Sequence, residues 1–98
     1  MKKLDLNLLV MLNVLLQEQS VAKAATRLQL SSSAMSRALT RLREVTGDPL
    51  LVRAGRDLVP SPRAEELKNQ VASLVNEAEE ILRPHEFVEV SKLKRTFI

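Results

Sequence analysis

The chain has 98 residues, enough for one small domain, or one domain with an appendage. It contains no cysteine and a single histidine, His85, which excludes disulfides and thiol chemistry and argues against clustered histidine metal sites and Ser-His triads. The net charge of +3 is uneven: residues 1–60 hold nine Lys/Arg against five Asp/Glu, residues 61–98 six against seven, so the basic excess lies in the first half, where a polyanion would bind. The two aromatics, Phe87 and Phe97, lie near the C-terminus, so the main core must be aliphatic. Abundant Leu, Ala, Arg, Lys and Glu with only two glycines favour helices over sheets.

Asp5 reads as an N-cap for a first helix over residues 6–18. Its apolar positions wrap most of the way round, which implies burial on more than one side. Lys2 and Lys3 ahead of the Leu6–Leu16 run imitate a signal peptide. Asp5, Asn7 and Asn13 interrupt that pattern, and the run is shorter than the roughly 20 residues that span a bilayer. Ser20 can cap a short second helix whose Val21, Ala24, Ala25 and Leu28 form one apolar stripe. Gln29-Leu30 is a tight turn, and Ser31 caps a third helix over 32–46, with Met35, Ala38, Leu39 and Leu42 facing inward along with Thr46 or Val45. Gly47 and Pro49 stop it. Leu50–Arg53 and Leu58–Pro60 around Ala54-Gly55-Arg56-Asp57 read as a small hairpin. Ser61 at N-cap and Pro62 at N1 open a long helix that Pro84 ends, running to Arg83. In residues 85–98, Phe87, Val88, Val90, Phe97 and Ile98 suggest extended structure.

Two short helices joined by a tight turn match a helix-turn-helix. Ala24 and Ala25 are small enough for close helix contact, and Leu28, Leu30, Met35 and Leu39 can fill the space between the two. With Met35, Leu39 and Leu42 inward, 100° per residue places Ser33, Arg37, Thr40 and Glu44 outward, flanked by Ser32, Ser36 and Arg41. Short hydroxyls permit close approach to base edges and phosphates, Arg clamps phosphate or guanine, and the helix N-terminus adds free N–H groups. Arg53 and Arg56 on the hairpin suit backbone or minor-groove contact. A solvated Ser-rich face and an ordinary structural hairpin are the plain alternatives.

Leu28, Leu30, Ser31, Ala34, Ser36-Arg37, Leu39, Leu42, Gly47, Pro49-Leu50 and Val52-Arg53 resemble the signature of the LysR-type transcription regulators. Val59-Pro60, Ser61-Pro62 and Ala64 resemble that family's entry into its linker helix. The resemblance covers about residues 4–83. It implies a mainly α fold: a winged helix-turn-helix of three helices and a β-hairpin wing, followed by a long linker helix. It also implies binding to interrupted palindromes of double-stranded DNA as part of an oligomer. Ser32 and Ser33 take the positions that meet bases, where many members carry Gln and Pro; Ser36 and Arg37 match DNA-contacting positions, and Arg53 matches the wing arginine. Arg43 stands where many members have Glu, and Leu51 where many have Phe. Lys94–Ile98 resembles the first strand of the family's effector-binding domain, so the chain reads as a fragment, with any small-molecule effector acting only through that absent domain.

Ala64, Leu67, Val71, Leu74, Ala78 and Ile81 are spaced 3, 4, 3, 4 and 3, an a/d seam of about three heptads. The expected partner is the same helix of a second chain, assisted by the first helix. Higher oligomers of a full-length protein stay open. The expected organisation is a DNA-binding domain over 1–60, a linker and dimerisation helix over 61–83, and a hinge over 84–98. The expected DNA contacts are Ser31, Ser32, Ser33, Ser36, Arg37, Thr40, Arg41, Arg53 and Arg56; the expected dimer contacts are Leu67, Val71, Leu74, Ala78 and Ile81. No cofactor, metal, membrane or catalytic residue is expected, and the protein is placed in the cytoplasm, on the nucleoid. A helical interaction module with an incidental basic face is the competing class. Within DNA binders a MarR-type winged helix is the nearest rival, but it normally has dimerisation helices at both ends.

Overall fold

The computed structural model describes residues 5–84; the extended segment expected within 85–98, with its hinge and effector-domain strand, lies outside the described residues. The chain forms α1 (Asn7–Glu18), α2 (Val21–Leu28), α3 (Ser32–Thr46), a hairpin of β1 (Leu51–Ala54) and β2 (Asp57–Pro60), and α4 (Pro62–Ile81). The fold class is therefore the expected one, mainly helical with one two-stranded antiparallel sheet.

α1 supplies the centre of the core. Leu8, Leu12, Val14, Leu15 and Leu16 are buried on it, and α2, α3 and α4 all pack around it. The helix begins one residue later than expected. Asp5 still satisfies its first donor, because the Asp5 carboxylate accepts from the Asn7 N–H at 3.0 Å from outside the helix. α2 lies close on α3 because Ala24 and Ala25, both buried, present no bulk, while Met35 and Leu39 fill the other side. Leu30, expected in that space, is exposed instead. Gln29 adopts a left-handed conformation, and the N–H groups of Gln29 and Leu30 close on Thr26 and Ala25 carbonyls, which turns Leu30 outward at the end of α2. Thr46 and Val45 are likewise exposed; the inner face of α3 is Met35, Ala38, Leu39 and Leu42.

The hairpin is tighter than the expected four-residue turn. Ala54 pairs with Asp57, leaving only Gly55 and Arg56 between the strands. Gly55 has φ +65, which an L side chain rarely adopts. Leu50, expected as the first strand residue, stands outside the strand at φ 64 although fully buried. Such a conformation costs a bulky residue about 1–3 kcal/mol unless its surroundings impose it.

Here they do. The Asp48 carboxylate accepts from the Leu50 N–H at 2.8 Å and from the Ser61 hydroxyl at 2.6 Å. The Ser61 N–H donates to the Leu50 carbonyl at 2.9 Å, so both polar groups of the left-handed peptide are tied. The same Ser61 hydroxyl accepts from the Ala64 N–H at 3.0 Å, capping α4. From α3, Arg43 donates to the Pro49 carbonyl at 2.8 Å and the Leu51 carbonyl at 3.0 Å. Arg43, a departure from the resembled family's pattern, thus holds the loop rather than serving as a spare surface charge.

α4 ends at Ile81, two residues short of Arg83, since the residue before Pro84 is driven away from helical geometry. Its first half packs on the same chain: Ala64, Val71 and Val75 are buried and Leu67 is partly buried against the core. Its second half does not: Leu74 is 49% exposed, Ile81 81% and Leu82 84%, with Ala78 exposed between them.

The Ser61 hydroxyl first, then the Leu50 N–H, hold the Asp48 carboxyl below its ordinary pKa; Arg63 assists and partial desolvation opposes. Because the folded value is the lower one, the stabilisation is present above the unfolded value of about 4 and is lost as pH falls through the folded value. The stability gap between the parent and Asp48→Asn is expected to be widest above pH ~4 and to shrink below it. Denaturant titrations across that range check this; a gap independent of pH contradicts it.

Candidate nucleic-acid interface

The exposed face of α3 begins at its cap. The Ser31 hydroxyl accepts from the Ala34 N–H at 3.1 Å and lies 3.3 Å from the Ser33 hydroxyl. Its first task is thus to start the helix. This leaves the backbone N–H groups of Ser32 and Ser33 without an intrahelical acceptor, on the positive end of the helix dipole, where an anion is favoured.

Ser32, Ser33, Ser36, Arg37, Thr40 and Arg41 are all exposed, on the side away from Met35, Leu39 and Leu42. Ser32 and Ser36 hydroxyls make no side-chain hydrogen bond among the described residues. Thr40 differs: its hydroxyl proton goes to the Ser36 carbonyl at 3.1 Å, so outward it offers an acceptor and a methyl group. Arg37 and Arg41 form no ion pair among the described residues. Arg27, by contrast, is spent internally on Gln17 at 2.7 Å and Glu18 at 3.1 Å, joining α1 to α2.

Arg53 on β1 and Arg56 in the turn are exposed and also unpaired among the described residues. They line a cleft of about 560 Å³ between the hairpin and the start of α2, together with Lys23, Glu18 and Asp57. Lys23 was not singled out from sequence. Its place three residues after the Ser20 cap, which its own N–H meets at 3.1 Å, was the available signal. The structure therefore gathers the expected residues into two groups, one along α3 and one on the hairpin. Among the described residues, no cluster of acidic or His side chains could hold a metal ion.

An α-helix bearing only short hydroxyls and arginines over its first turns fits the ~12 Å width of the DNA major groove, which longer or acidic side chains would obstruct. Three helices, a two-residue-turn hairpin and this open helix face define a winged helix-turn-helix. The family described as "Bacterial regulatory helix-turn-helix protein, lysR family" matches residues 6–65. The chain belongs to that LysR family of bacterial regulators. The HTH-type transcriptional regulator SyrM 2 of Sinorhizobium fredii is 47% identical over 78 residues, 80% of this chain and 23% of that protein. A probable transcriptional regulator of Pseudomonas aeruginosa, PA0477, superimposes with a TM-score of 0.77 and 41% identity, over 82% of this chain and 27% of that one. A BenM DNA-binding domain crystallised on benA site 1 DNA superimposes with a TM-score of 0.72 and 26% identity, over 95% of this chain and 96% of that one. The chain spans about a quarter of the length of the curated regulator SyrM 2.

If these arginines and the α3 terminus meet phosphates in two copies, about 6–10 contacts lose roughly a thousandfold or more in affinity between 50 and 200 mM salt. Arg37→Ala is expected to weaken binding to all sequences and to lower the salt slope by about 1, whereas Ser33→Ala changes base preference by about 1 kcal/mol or less. Fluorescence anisotropy of labelled duplexes across salt measures both. A flat salt response, or an Arg37→Ala chain that binds like the parent, rules out the assigned face.

Proposed function

We propose that the chain reads double-stranded DNA sequence-specifically as the DNA-binding part of a transcription regulator and does so as a homodimer. The observation that carries the reading is the α3 face, where free hydroxyls and unpaired arginines stand together with no carboxylate before Glu44. Ser32, Ser33 and Ser36 meet base edges and phosphates; Arg37 and Arg41 hold the backbone; Ser31 positions the helix start and Thr40 offers an acceptor. Arg53 and Arg56 reach backbone or minor groove beside them. We assign the chain binding and no catalytic step. Support comes from the BenM domain seen on DNA, which this chain matches over nearly all of both lengths.

The dimer contacts fall in two parts. Leu67 and Val71 face the chain's own core, so they would shape the seam from beneath, while Leu74, Ala78 and Ile81 are open to a partner helix. Leu6 and Val10 of α1 are exposed apolar residues that can join them. A twofold axis through this seam pairs two α3 helices with two half-sites, which reads an interrupted palindrome. Residues 1–60 then form the DNA-binding unit, 61–83 the linker and dimerisation helix, and 84–98 a hinge towards an effector-binding domain, the only route for a small-molecule effector. No helix among the described residues is long and apolar enough to cross a membrane; a cytoplasmic, nucleoid-bound location accords with the proposed task.

Leu74→Glu tests this without touching the core, because Leu74 is half exposed within its own chain. Burying a carboxylate in the seam is heavily penalised. The parent is expected to sediment as a dimer at tens of micromolar, and the variant as a folded monomer that has lost specific DNA binding. A monomeric parent, or a variant that remains dimeric, overturns the assignment.

A further inference from the structure

The loop between α3 and the hairpin contains a hydrogen-bond node whose parts do more than close a turn. Asp48 touches neither the exposed α3 face nor the hairpin tip, yet one of its oxygens holds both ends of the hairpin's base: Leu50 N–H on the way in and the Ser61 hydroxyl on the way out. The Ser61 N–H to Leu50 carbonyl bond completes the ring. Ser61 is 2% exposed and Leu50 is fully buried, so the node is anchored in the body of the domain. Leu50 is also held left-handed, and the direction of β1 follows from that peptide.

The hairpin has only two strands of four residues, too little to fix its own orientation. Orientation must come from its base. At ~3.3 Å per residue, Gly55 lies about 16 Å from Leu50 and Arg53 about 10 Å. A rotation of ~10° at Leu50 therefore moves the tip by about 3 Å and Arg53 by about 2 Å, beyond the tolerance of a hydrogen bond. Arg43 restrains the neighbouring carbonyls of Pro49 and Leu51 but leaves the Leu50 peptide itself to Asp48 and Ser61. We infer that Asp48 is a positioning residue for the wing: by fixing the Leu50 peptide against Ser61 it aims Arg53 and Arg56 at the DNA that α3 engages. This rests on the DNA-binding reading above.

A double-mutant cycle separates aiming from general support. Binding is measured by anisotropy on the duplex that the parent enriches from a random pool, at a temperature where thermal melts show every variant folded. Asp48→Ala is expected to weaken binding about tenfold, as loss of wing contacts would. Combined with Arg53→Ala it should add little further, because the misaimed arginine is already ineffective. Combined with Arg37→Ala, on α3, the two losses should multiply to within about twofold. Asp48→Asn, whose amide oxygen can accept the same two bonds, should restore most of the parent affinity. Should Asp48→Ala not fold, Ser61→Ala carries the same cycle. If Asp48→Ala binds like the parent, if its loss multiplies with that of Arg53→Ala, or if Asp48→Asn is as weak as Asp48→Ala, the inference fails alone. A parent that binds no duplex overturns the DNA-binding reading and the inference with it.

Discussion

The 2.6 Å hydrogen bond from the Ser61 hydroxyl to the Asp48 carboxylate fixes where three elements of this domain meet. It joins the loop leaving α3 to the residue that caps α4, and the hairpin hangs between them. The bond is partly buried and charge-assisted, the class of hydrogen bond roughly twice as strong as a neutral one. It also imposes the left-handed Leu50 that a free chain would avoid. Without it, α3 and α1 could still pack through Met35, Leu39 and Leu15, but nothing would set the angle at which hairpin and long helix depart from them.

Much of this was legible in the sequence, for local reasons. The exposed face of α3 follows from the 3.6-residue period once Met35, Leu39 and Leu42 are placed inward, and Ser20, Ser31 and Ser61 declare their helices because an N-cap is a contact between residues three apart. What depends on distant partners was not legible. Asp48 and Ser61 are 13 positions apart, and no periodicity links them. Leu30 looked like a core residue because it is apolar; a left-handed Gln29 decides otherwise. On α4 two stripes overlap in the same residues: the heptad seam through Leu74 and Ala78, and the steps of four through Leu67, Val71 and Val75. Packing on α1 selects the second for the first half of the helix, and only the fold could make that choice.

That division has a functional consequence. A helix of 20 residues extends about 30 Å, longer than the surface its own domain offers. The first half is spent on intramolecular burial that fixes its direction; the second leaves Leu74, Ile81 and Leu82 in water. An apolar stripe carried on a rigidly aimed helix suits assembly between copies, since the angle set at Ser61 would be inherited by both halves of the dimer. The separation of the two α3 helices, and so the spacing of the DNA sites, would then trace back to the same node that aims the wing. DNA-contacting, core and assembly residues occupy different faces, which lets each be altered without disturbing the others.

Selection of bound duplexes from a random pool addresses the central claim most directly. An enriched pair of related half-sites, inverted about a centre and separated by a fixed interval, is the result this account requires. Recovery of DNA with no enriched sequence, or of single half-sites without a partner, would contradict a dimeric, sequence-reading winged helix.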